Sequence, residues 1–284
     1  MEPAEKTIPV SGLDIHYLEW GEPKGVPLVL IHGFLDLAWS WLPFMRSLRE
    51  KLWILAPDCR GHGDSGWVQG GYYHFPDYVA DLAGFIEGLH LEKVFLLGHS
   101  MGGNVAALYA GTFPARVERL VIVESLDYEE LPPAEMPAHM EGWINSRRHR
   151  LRKPPRKFAS VEEAAGRLRE VHPNLSPEFA LLLAERGTQP LPGGERVWKF
   201  DPLHQTTSPH PYTLKQAQAF WRRISCPVLL ISASDSHMGL NYNQPAYDVF
   251  RRKTQVSIPG STHMVHREKP EELAGIVRPF LTQR

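Results

Sequence analysis

Residues Val94 to Leu108 read VFLLGHSMGGNVAAL. An apolar run stops at a serine that has glycine two places to either side, and a helix-forming run follows. Gly98-His99-Ser100-Met101-Gly102 fits the pattern G-x-S-x-G, placed after a strand and before a helix. Small residues at 98 and 102 let the backbone close tightly around Ser100, and the turn lifts its hydroxyl to the edge of a sheet. The following helix brings unpaired N–H groups and its positive dipole end to the same spot. The context predicts a nucleophilic serine rather than a bare turn.

Working outward, Leu28 to Ile31, Leu52 to Asp58, Leu120 to Glu124 and Pro227 to Ser232 repeat the continuous apolar run of Val94 to Gly98. Such runs suit parallel strands buried on both faces. Thr7 to Val10 and Leu13 to Trp20 flank Ser11-Gly12 as a hairpin. Between strands, Val79, Leu82, Phe85, Ile86 and Leu89 recur at helical spacing. Strand and helix in alternation imply right-handed crossovers, hence an α/β fold with a doubly wound, mostly parallel sheet. The alternation fails from about Leu126 to Tyr212, a proline-rich stretch with only short helical pieces. The expected organisation is a core of residues 1–125 and 213–284, with 126–212 inserted as a helical cap over the C-terminal edge of the sheet. Open α/β sheets carry their sites at that edge.

The chain of 284 residues is 43% hydrophobic and 22% charged, with a formal net charge of −1. These are globular proportions, and they give no reason to expect nucleic acid as a partner. The N-terminal MEPAEKTIPV has no basic region leading into an apolar one, and no apolar run reaches membrane-spanning length. Cys59 and Cys226 fall outside metal or redox spacings and read as reduced thiols, so a cytoplasmic location is expected. No dinucleotide or phosphate-loop fingerprint and no metal-ligand spacing stands out. No cofactor and no metal is therefore expected. Seven Lys or Arg crowd Arg147 to Lys157. A solvated face is the default for such a run, with attraction of an anionic substrate or a membrane surface as the minority reading.

Together with LVLIHGF, APDCRGHGDSG and IPGSTHMVHREKPEELAGIVRPFL, the serine motif makes the chain resemble the α/β-hydrolase family over nearly its whole length outside the cap. The resemblance implies Ser100 as nucleophile, His263 as base, and the N–H groups of Phe34 and Met101 as oxyanion hole. His266 would lie outside the triad, and His32 and His99 would pack or hydrogen-bond the neighbouring loops. For the acid, the usual family position points to Asp235, in SASDSHMG. Some relatives carry the acid after the preceding core strand instead, which here offers Glu124. Asp235 is favoured and Glu124 is the alternative. Serine at the elbow argues against the dehalogenase and epoxide-hydrolase branches, which use Asp there. The implied activity is hydrolysis of a small-molecule carboxylic ester or related acyl bond. The alternatives are carbon–carbon bond hydrolysis, lactone opening or perhydrolysis on the same triad, and a binding protein that retains the scaffold without turnover. Substrate identity and oligomeric state are left open by the sequence.

Overall fold

The runs read as buried strands do form the middle of a sheet. The computed structural model describes residues 2–48, 52–70, 73–128, 130–206 and 208–283. Strands β1 (Ala4–Val10) and β2 (Leu13–Trp20) form the antiparallel hairpin, with Val10 opposite Leu13. Its two turn residues, Ser11 at φ 50° and Gly12 at φ 80°, are both left-handed, the twist that two-residue hairpins favour. β3 (Leu28–Ile31), β4 (Ile54–Pro57), β5 (Val94–His99) and β6 (Val117–Val123) follow. After three short strands in the insertion, β7 (Lys157–Phe158), β8 (Thr188–Pro190) and β9 (Arg196–Trp198), the sheet is completed by β10 (Val228–Ala233) and β11 (Lys253–Ile258). Among the described residues the main sheet has eight strands, in the order β1-β2-β4-β3-β5-β6-β10-β11. From β4 to β11 all pairings are parallel.

Period-two alternation splits each central strand between two cores. Leu28, Leu30, Leu97 and Val121 face a layer containing Trp41, Phe44, Leu273 and Val277, from helices α1 (Leu42–Ser47) and α8 (Pro270–Thr282) and their surroundings. Val29, Ile31, Leu96 and Ile122 face Leu82, Phe85, Val105 and Trp221. Those come from α2 (Phe75–Gly88), α3 (Met101–Thr112) and α7 (Leu214–Trp221). Each fully buried Leu, Ile or Val contributes about 1.5–3 kcal/mol relative to exposure. Covering both faces is what makes these strands continuously apolar.

Because β6 pairs directly with β10, the chain between them leaves the sheet and returns. That excursion holds α4 (Met136–Arg152), α5 (Val161–Val171), α6 (Pro177–Gly187) and a small sheet in the order β7-β9-β8. It is more ordered than the sequence suggests. α4 runs 17 residues but buries none of them. Its apolar residues, among them Met140, Trp143 and Ile144, are only half-buried, and the basic run that follows them blurs the apolar period. The small sheet was not anticipated either, since its strands have two or three residues.

Candidate active site

Ser100 sits between β5 and α3 with φ 52° and ψ −121°, a left-handed conformation held for a non-glycine residue. Such a residue costs of order 1–3 kcal/mol and persists only where its surroundings impose it. The surroundings here are tight. A Cβ on Gly98 would lie 2.2 Å from the Gly102 carbonyl oxygen, and one on Gly102 would lie 2.2 Å from that of Ile31. Gly103 is constrained in the same way, since a Cβ there would lie 2.5 Å from the Ser125 Cβ. The Ser100 N–H donates to the Val123 carbonyl at 3.0 Å, and its own carbonyl accepts from the Ser125 hydroxyl at 2.6 Å.

The loop after β3 lies against this turn, since a Cβ on Gly33 would stand 3.2 Å from that of Ser100. Two buried histidines fix it. His32 donates from Nδ1 to the Gly33 carbonyl at 2.7 Å and accepts the Cys59 N–H at Nε2, 2.9 Å away. His62 donates from Nδ1 to the Arg60 carbonyl and accepts the Leu35 N–H at 3.2 Å. The loop that carries Phe34 is thus pinned to the 58–66 loop, and Leu35 is left at φ 54°. Met101 opens α3, where the N–H has no partner within the helix. His62 was not anticipated as part of this architecture. Its only sequence signal is its position in CRGHGDSG.

The carboxylate beside His263 is Glu124. It lies just past β6 at φ 50° and is fully buried. Its Oε2 is 3.2 Å from His263 Nδ1 and also accepts from the Ser236 hydroxyl, while Oε1 accepts the Ala233 N–H at 2.6 Å. The expectation for Asp235 is corrected here. Asp235 is exposed, its Oδ1 accepts from the Ser234 hydroxyl, and its backbone N–H is tied to the Ser261 carbonyl. That tether leaves the neighbouring Ser236, not Asp235, to reach into the site.

His99 Nε2 donates to the His263 carbonyl at 2.7 Å. Burial, with His266 and His263 beside it, pushes the His99 pKa well below its ordinary value, consistent with a neutral ring. His266 is buried against Trp41 and Asp36, and desolvation pushes its pKa down to about 4. Burial opposes ionisation of Asp36, but Arg267 and His266 outweigh it and hold the carboxyl well below the usual range. Asp36, His99 and His266 offer donor atoms within 4.8 Å of one another. Arg267 already neutralises Asp36, which opposes a divalent cation there.

Ser100 and His263 line one cavity of about 350 Å³ together with Gly33, Phe34 and Met264. The insertion roofs it through Leu168 of α5, His172 just past that helix, Leu183 of α6, and the aromatics Trp198 and Phe200. Other aromatics of the region are structural. Phe158 and Trp221 are buried in the two cores, and Tyr212 packs edge-on to Phe75 and Phe220.

Polar contacts dock the insertion onto the core. Asp201 accepts the Tyr73 hydroxyl at 2.6 Å, and Lys199 pairs with Asp64 at 2.7 Å. His204 is stacked between His62 and Tyr73, with Nδ1 3.0 Å from the Tyr78 hydroxyl. Burial pushes its pKa down to about 3. The unfolded chain therefore binds a proton that the folded chain refuses. Its contribution to stability is complete above the ordinary histidine pKa and is lost as pH falls toward the folded value. Urea titrations are expected to show about 1.4 kcal/mol of stability lost per pH unit from this residue between about pH 6.5 and 4. His204→Gln should be less stable at neutral pH but should lose that share of the slope. A variant with the wild-type slope would refute the assignment.

A family model described as the Alpha/beta hydrolase family matches residues 28–276, and the chain belongs to that family. Members of the family are generally hydrolases. Over 292 residues the chain is 26% identical to a serine hydrolase-like protein of Danio rerio, covering 98% of this chain and 88% of that one. Among solved structures, a hypothetical protein of Pseudomonas aeruginosa PAO1 superposes with a TM-score of 0.88 at 29% identity, covering all of both chains. The thioesterase domain from the curacin biosynthetic pathway superposes with a TM-score of 0.86 at 26% identity, again over both full chains. Among the described residues, no helix is long and apolar enough to cross a membrane.

Proposed function

We propose that the chain is a serine hydrolase cleaving a carboxylic ester or a related acyl bond, thioesters included. The observation that carries this reading is the buried Glu124 carboxylate 3.2 Å from Nδ1 of His263, whose ring shares a cavity with Ser100. Glu124 holds the proton on Nδ1, which leaves Nε2 bare to take the Ser100 proton as the oxygen attacks the acyl carbonyl. The Phe34 and Met101 N–H groups receive the oxyanion. The histidine then returns the proton to the leaving group, the acyl-enzyme forms, and water activated by the same ring releases the acid. Likeness to the curacin thioesterase is the reason for including thioesters.

Incubating the wild-type protein with a fluorophosphonate should label one serine per chain, Ser100, as mapped by mass spectrometry. In a panel of p-nitrophenyl esters, medium acyl chains should be cleaved in preference to emulsified long-chain triglyceride, because the roofed cavity restricts access. Absence of both labelling and ester turnover would support a scaffold that binds without reacting.

A further inference from the structure

Most of the basic run Arg147 to Lys157 is exposed, as a solvated face would be. Part of it lines a second cavity of about 340 Å³, to which Arg150, Lys153 and Arg156 contribute together with Arg167 from α5. Trp198 and Phe200 line this cavity and the Ser100 cavity alike. The two rings lie nearly parallel, 13° apart with centroids 6.3 Å apart, and form a common aromatic wall. No Asp or Glu is among the described residues that line the basic cleft. Arg167 reaches Glu170 at 2.7 Å, and the Arg156 guanidinium lies over the Phe158 ring. The C-terminal end of α4 accounts for cations at Arg150 and Lys153 by offsetting the helix dipole. It does not account for Arg156 or Arg167. Cations grouped in a concavity with proline and aromatic walls attract an anion more strongly than the same charges on an open surface.

We propose that this cleft binds an anionic group carried by the substrate beyond Trp198 and Phe200. The compound cleaved at Ser100 is then an ester or thioester bearing a carboxylate or phosphate remote from the scissile bond. The inference rests on the serine-hydrolase reading and narrows its substrate class.

Two matched substrate pairs test it and show which arm carries the charge. One pair is a neutral p-nitrophenyl acyl ester and its counterpart with a terminal carboxylate on the acyl chain. The other is a neutral N-acetylcysteamine thioester and the coenzyme A thioester of the same acyl group. The anionic member of at least one pair is expected to show kcat/KM about tenfold or more above its neutral partner, the scale of a charge-assisted hydrogen bond. That preference should fade in high salt. It should vanish in the double variant Lys153→Glu with Arg156→Glu, which should cleave the neutral substrates at the wild-type rate. Coenzyme A alone, or a dicarboxylate, should likewise slow fluorophosphonate labelling of the wild type but not of the double variant. No preference and no protection in the wild type, or a preference that survives the double variant, overturns the proposal while ester cleavage stands. Failure of labelling itself removes the serine-hydrolase reading and this proposal with it.

Discussion

Ser100→Ala and His263→Ala are each expected to lower kcat toward p-nitrophenyl esters by about a millionfold, and the double variant by hardly more. The reason lies in the proposed sequence of events. A serine hydroxyl is a poor nucleophile at neutral pH until an adjacent base takes its proton, and the base has nothing to do without the hydroxyl. Removing either one abolishes the same step. Residual turnover of about a thousandfold over water is expected from binding and the oxyanion N–H groups alone. His266→Ala is the control. It removes a buried ring packed on Trp41, so stability should fall, but the activity of the folded fraction should change little. Additive losses in the double variant, or a His266 loss equal to that of His263, would show that Ser100 and His263 do not act together.

Ser100 was readable because its turn is specified locally. Glycines 98, 102 and 103 are all required by contacts under 3 Å, and two of them fall within the five-residue motif. The central strands were readable for a related reason, since burial on both faces leaves them no polar positions. The insertion was not. α4 buries no residue, and the β7-β9-β8 sheet is made of strands too short to show alternation. Contacts between distant segments were equally invisible, such as the Arg60 pair with Asp81 at 2.5 Å or the hydrogen bond from Leu35 N–H to His62 that helps pin the Phe34 loop. Which carboxylate lies against His263 was hidden on the same ground. β6 and β10 are neighbours, with Val123 opposite Ile231, so the residues that follow both strands emerge at one edge of the sheet. Sequence order places Glu124 and Asp235 at that edge equally well. Only the tether from Asp235 N–H to Ser261 and the inward fold of the Glu124 side chain separate them.

Glu124→Gln is therefore expected to cut kcat by about ten-thousandfold with the fold intact, the scale found when an amide replaces a triad carboxylate. Hydrogen bonding dictates which way the new amide must face. The Ala233 backbone N–H, 2.6 Å from Oε1, can only donate, so the amide oxygen must stay on that side. The amide nitrogen then takes the place of Oε2, opposite His263 Nδ1 and the Ser236 hydroxyl. Ser236 can rotate its hydroxyl to accept, but Nδ1 can accept only by giving up its proton. The ring must then carry its proton on Nε2, where it can no longer take one from Ser100. The glutamine also lacks the charge that stabilises the imidazolium formed during attack. Asp235→Asn should change kcat less than about twofold and stability by no more than about 0.5 kcal/mol, as for an exposed side chain whose partner is the adjacent Ser234. Matched circular dichroism spectra with kcat measured for both variants decide the matter. An inactive Asp235→Asn beside an active Glu124→Gln would mean that the loop after β10 rearranges to present Asp235 to His263 during turnover.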